Sequence, residues 1–129
     1  MWGQPPIYIA EGFGVAVRNL SAAQAWYQEK LGMRKGPANA EDDSGLPFVA
    51  LQFGKNREYI SLVESDVEIV GGPLDIVRPM FFTKNLEKAH EWLLSRGVAA
   101  QPMQRDSGGN AFFTFRDLEG HTIEVCTES

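Results

Sequence analysis

The chain has 129 residues, enough for one domain with a real core, whereas two units of about 60 residues would each be marginal alone. Its formal charge of -5 argues against a nucleic-acid partner, because phosphate binding needs a basic surface. Its single cysteine, Cys126, excludes an internal disulfide, and with neither a long apolar stretch nor a basic, apolar leader the expectation is no membrane partner and a cytoplasmic location.

In chain order, residues 1–6 read as a loose arm, with Pro5 and Pro6 blocking regular structure. Over residues 11–18, Phe13, Val15 and Val17 alternate with Gly12, Gly14 and Ala16, the period of a strand with one apolar face. Residues 19–32, NLSAAQAWYQEKLG, read as an amphipathic helix with Leu20, Ala23, Tyr27 and Leu31 on one stripe. Ser21 and Gln24 have the spacing of a capping box at its start. A short strand over 33–37 and a polar loop over 38–45 follow. Glu41, Asp42 and Asp43 in that loop lack the alternating spacing of a calcium site. Two strands, 47–53 and 58–64, flank a turn containing Gly54 and Asn56.

Residues 65–77 carry Gly71, Gly72 and Pro73 and form the natural connection to a second half with the same order. It predicts a strand over 78–83, a helix over 85–97 capped by Asn85, and strands over 98–104, 110–116 and 121–127. The repetition is explicit in the helices: Asn19, Leu20, Ala23 and Trp26 recur as Asn85, Leu86, Ala89 and Trp92 at a constant offset of about 66 positions. Trp26 and Trp92 are expected to pack against the core, and the strands of the two halves align so that Ser61 answers to Glu124. The expected architecture is α+β: one domain over 1–129, built from repeats 7–64 and 78–127 that share a core.

Three stretches, VAVRNLSAAQAWYQEKLGM, FFTKNLEKAHEWLLSRGV and FFTFRDLEGHTIEV, make the chain resemble the vicinal oxygen chelate superfamily, which includes glyoxalases, extradiol dioxygenases, fosfomycin-modifying enzymes and bleomycin resistance proteins. Leu118 stands where the last of these usually has a proline. The resemblance implies tandem βαβββ units whose mixed sheets curl around a cleft with helices outside, and it implies a homodimer. In metal-dependent members the ligands come from four equivalent positions, which here are Gly12, Ser61, Arg78 and Glu124. Only Glu124 would bind a divalent ion well, so no metal and no cofactor are expected. The two histidines do not restore the set: His90 is expected to be a solvated helix-surface residue, and His121 stands an odd three residues from Glu124.

Strand parity places Gly12, Tyr59, Ser61, Arg78, Met80, Phe82 and Glu124 on the cleft face, small residues making room and Tyr59, Met80 and Phe82 supplying wall. Arg78 and Glu124, on neighbouring strands, are expected to form an ion pair that neutralises itself or serves a ligand. The resulting expectation is a metal-free protein holding a small molecule, similar to drug-sequestering bleomycin resistance proteins, with a cationic or aromatic ligand. The alternative is a lyase, isomerase or dioxygenase of the same superfamily. In its metal-free form Glu124 would be the catalytic base and Arg78 the oxyanion stabiliser; in its metal-dependent form the ligands would be atypical.

Overall fold

In the computed structural model, residues 5–10, 12–36, 47–54, 58–65 and 80–127 are described. Their elements run β1 (Phe13–Val17), α1 (Leu20–Leu31), β2 (Arg34–Lys35), β3 (Phe48–Gln52), β4 (Ile60–Glu64), β5 (Met80–Thr83), α2 (Leu86–Ser95), β6 (Gln104–Arg105), β7 (Ala111–Arg116) and β8 (Thr122–Thr127). The order strand, helix, three strands therefore occurs twice, giving an α+β fold with two four-stranded mixed sheets. The sheets are ordered β1-β4-β3-β2 and β5-β8-β7-β6. In each, the first and last strands of the unit pair in parallel while the remaining pairs are antiparallel. The expected polar loop over 38–45 and most of the connection over 65–77 lie outside the described residues.

Alternation along the strands decides which face packs. Val15, Val17, Ile60 and Leu62 of the first sheet and Phe81, Phe113, Phe115, Ile123 and Val125 of the second are buried in one continuous apolar cluster. Against it α1 lays Ala23, Tyr27 and Leu31, and α2 lays Leu86, Ala89 and Leu93, spacings that keep each set on one helix face. Trp26 and Trp92 are partly buried against the same cluster. Trp26 stacks on Phe115 with ring centres 6.4 Å apart, and Arg96 lies over the Trp92 ring at 4.8 Å. Among the described residues, no helix is long and apolar enough to cross a membrane.

Three local details differ from the sequence reading. Ser21 does not cap α1. It lies inside the helix, and Asn19 accepts from the Ala22 N–H at 3.0 Å while the Glu64 carboxylate takes the Leu20 N–H at 3.0 Å. Asn85 does cap α2, accepting from Lys88 N–H at 3.0 Å. The strand expected over 98–104 shrinks to β6, because Pro102 has no N–H for the ladder. Gln101 still donates to Thr114 O at 2.8 Å, and regular pairing resumes only at Gln104. Finally, of the arm expected over 1–6 the described Pro5 and Pro6 are half-buried, and just beyond it Ile7 and Ile9 enter the core while Tyr8 exchanges two backbone hydrogen bonds with Phe82, at 2.9 and 2.8 Å.

The two halves are joined by polar contacts as well as by the core. The buried Tyr27 of α1 donates its hydroxyl to Asp117 at 2.6 Å, and Asp117, in the β7–β8 turn, is only 7% exposed. The same carboxylate accepts from the Glu119 and His121 N–H groups, at 3.0 and 2.9 Å. Glu119 in turn accepts from the Arg18 and Asn19 N–H groups just before α1, at 2.7 to 3.1 Å, adding negative charge at the positive end of that helix. Near the other end of α1, Arg96 donates to the carbonyls of Lys30, at 2.7 Å, and Glu29.

Burial, followed by the negative charge and hydrogen bond of Asp117, pushes the Tyr27 phenol well above its ordinary range. Above about pH 10 the unfolded chain loses this proton while the folded chain keeps it, so stability falls as pH rises beyond that point. Tyr27→Phe is expected to cost roughly 1.5–3 kcal/mol at neutral pH, by removing a donor from a buried carboxylate. It should also flatten the alkaline loss. Urea melts at pH 7 and across pH 9–12 check both, and the same alkaline slope in both proteins would contradict the assignment.

Candidate functional site

The face of each sheet opposite the helices carries the residues that parity selects. On the first sheet, Gly14 pairs with Ser61 and Ala16 with Val63. On the second, Met80 pairs with Glu124, which faces Thr114, and Phe82 pairs with Cys126, which faces Phe112. The repeat is thus geometric as well as textual: Ser61 and Glu124 hold matching register positions, opposite Gly14 and Met80. Met80 is exposed, whereas Ser61, Phe82, Phe112, Glu124 and Cys126 are half-buried. This is a surface with apolar wall and few polar groups.

Gly12 comes before β1 and Tyr59 before β4, so they continue the register of that pair by one step. There the backbones approach closely, and a Cβ built on Gly12 would stand 2.8 Å from the Tyr59 carbonyl oxygen. Glycine is required at that place by contact with neighbouring backbone, not only by what a ligand would need. Gly14 is different, since its Cβ would find the nearest backbone oxygen at 3.9 Å. Arg78 lies outside the described residues, and so does the expected Arg78–Glu124 pair.

The residues at hand do not fit the divalent metal that the resemblance associates with these positions. Gly12 has no donor atom and no room for a side chain, and Ser61 offers a neutral hydroxyl. Glu124 is a single strong ligand where three or four must converge. Among the described residues, no three His, Cys, Asp or Glu side chains are grouped to hold an ion. Both histidines are engaged elsewhere. His121 Nε2 bonds the Ala16 carbonyl at 2.8 Å, and because a carbonyl can only accept, this nitrogen carries the proton. His90 is not the solvated residue its neighbours suggest: its Nε2 bonds Gln101 O at 2.9 Å, and its ring meets Phe113 edge to face at 4.9 Å.

The sequence reading missed three residues on the open face of the second sheet. Phe112 and Cys126 follow from parity once Glu124 is placed, since Cys126 is two residues beyond it and Phe112 is the register partner of Cys126. Tyr8 could not be found that way, because it arrives through an isolated bridge from the N-terminal segment. Its ring lies 6.0 Å from that of Phe82 at 31°. Burial, and secondarily the negative charge of Glu124, push the Cys126 thiol above its usual range.

The contrast between the two glycines is testable. Gly12→Ala is expected to cost about 1–3 kcal/mol through the forced shift of packed backbone, while Gly14→Ala costs well under 1 kcal/mol. Thermal melts of the two variants decide it, and equal costs would show that the β1 approach is not what holds Gly12.

No protein-family model matches the chain, and no curated protein matches it. Solved structures do. An integron cassette protein from the mobile metagenome of the Halifax Harbour sewage outfall is similar with a TM-score of 0.72 and 21% identity, covering 92% of this chain and 97% of that one. The antibiotic binding protein TnmS3 from Streptomyces sp. CB03234 is similar with a TM-score of 0.70 and 20% identity, over 92% and 94% of the two chains. A member of the glyoxalase/bleomycin resistance protein/dioxygenase superfamily from Sphaerobacter thermophilus gives 0.64 and 21%, over 93% and 98%. With its two βαβββ units and its pair of open mixed sheets, the chain has the fold of the vicinal oxygen chelate superfamily.

Proposed function

We propose that this protein binds a small organic molecule on the open faces of its two sheets, without a metal ion, and that its finer role is sequestration of an antibiotic or another cationic, aromatic compound. The observation that carries the reading is the seat of Gly12, where 2.8 Å to the Tyr59 carbonyl leaves no space for a ligating side chain. With that position closed, the open face retains Ser61 and Glu124 as polar groups among Tyr59, Met80 and Phe82, a mostly apolar lining with few fixed polar contacts. Gly12 contributes by letting the strands approach, and affinity alone would suffice for such a role. A protein of the same fold described as antibiotic binding supports the finer form.

The test is a thermal-shift screen of aromatic and cationic antibiotics, with and without EDTA. A true ligand at 100 times its Kd is expected to add about 2.7 kcal/mol of stability. That gain should survive EDTA and disappear in Ser61→Trp, whose indole fills the open face. The proposal is overturned by a library that shifts nothing, or by a shift that EDTA abolishes.

A further inference from the structure

The open face of the second sheet carries a row of side chains whose first member comes from outside the sheet. Tyr8 stands opposite Phe82, Phe82 opposite Cys126, and Cys126 opposite Phe112, each pair set by backbone register. Neighbouring strands are about 4.8 Å apart, so the row extends roughly 14 Å from Tyr8 to Phe112. All four side chains are half-buried, and the Tyr8 and Phe82 ring centres lie 6.0 Å apart with their planes tilted by 31°. While Tyr8 projects here, its neighbours Ile7 and Ile9 are locked in the core, so the ring is held on a fixed piece of backbone.

The first sheet has no such row. Its corresponding run is Ala16, Val63 and Phe48, and the Ala16 carbonyl is taken by the His121 side chain where the Phe82 carbonyl is taken by Tyr8. The second half therefore offers the larger aromatic area, and the first, with Gly14, Ala16 and Ser61, offers more space. Glu124 sits on the same face, two residues before Cys126 on β8, and a carboxylate's two oxygens accept several donors at once, so it can meet a ligand cation in addition to any protein partner. Net charge of the whole chain, -5, favours a cation further.

Resting on the reading of this face as a small-molecule site, we propose that Tyr8, Phe82 and Phe112, with Cys126 between the last two, form an aromatic platform that takes a planar polycyclic cation, and that Tyr8 is the residue selecting for it. A flat ring system lying along the row contacts several π faces together, and its cationic group reaches towards Glu124. A globular amine of the same charge gains the electrostatic part alone.

The chain has one cysteine, so alkylation by iodoacetamide, followed by intact-protein mass spectrometry, reads the middle of the platform directly. Full-length protein is titrated calorimetrically with proflavine, a planar tricyclic cation, and with 1-adamantylamine as the globular control. Proflavine is expected to slow Cys126 alkylation at least tenfold and to bind at least tenfold more tightly than adamantylamine. Tyr8→Leu and Phe112→Leu should each lose about tenfold in proflavine affinity, while Tyr8→Phe keeps it. If Tyr8→Leu fails to fold, protection of Cys126 in the unaltered protein decides. Binding of proflavine with undiminished alkylation, or with unchanged affinity in folded Tyr8→Leu and Phe112→Leu, overturns the platform and leaves the open-face site standing. So does failure of proflavine to bind when another compound from the antibiotic screen does. If no small molecule binds at all, the functional reading fails and the platform with it.

Discussion

Parallel pairing of the first and last strand in each unit is the constraint from which the other features follow. It sets Gly14 beside Ser61 and Met80 beside Glu124, so residues 47 and 44 positions apart share one face. A parallel pair needs a long crossover, and here the helix and two antiparallel strands supply it. The crossover also lays the helix on one face of the sheet, burying Val15, Leu62 and their counterparts Phe81 and Val125. What remains is the opposite face, and the candidate site is made of that remainder.

Two copies of one unit have diverged in what they ask of equivalent positions. In the first half, small residues let strands approach until a single added carbon at Gly12 would collide with Tyr59. In the second half the corresponding surface is built of Met80, Phe82 and Phe112, with Tyr8 brought in from the chain's beginning. The polar joints are unequal too. Tyr27 and Asp117 bind the first helix to the second half's turn, whereas Leu93, at the position answering to Tyr27, is wholly apolar and buried. Repetition sets the frame, and the differences between repeats set the chemistry.

Much of this could be read directly. The 3.6-residue spacing of Ala23, Tyr27 and Leu31 and the two-residue alternation of Phe13, Val15 and Val17 are local signals, because each arises from the geometry of one element. The recurrence of the helix motif carried the element order, the strands aligned Ser61 with Glu124, and the likeness of three stretches pointed to the family whose fold the structure shares. Where a competing local signal existed, the reading failed in a physically intelligible way. Ser21 had the spacing of a cap, but Asn19 stood two residues earlier with an extended backbone and a side-chain oxygen in reach. His90 looked solvated among charged neighbours because nothing in the helix predicts that Gln101 O and the Phe113 ring will come to meet it.

By itself, the sequence determined the kinds of elements, their order, their duplication and which side chains alternate to which face, since each is read from spacing within one turn or strand or from the same spacing met twice along the chain. Only the tertiary structure decided the rest. It brought Tyr8 to Phe82, fitted Gly12 against the Tyr59 carbonyl, set Glu119 and Glu64 at the start of the first helix, and turned His121 onto the Ala16 carbonyl. Each of these contacts joins residues from different segments, and its distance depends on how two independently formed pieces pack. No periodicity within either piece encodes that relation.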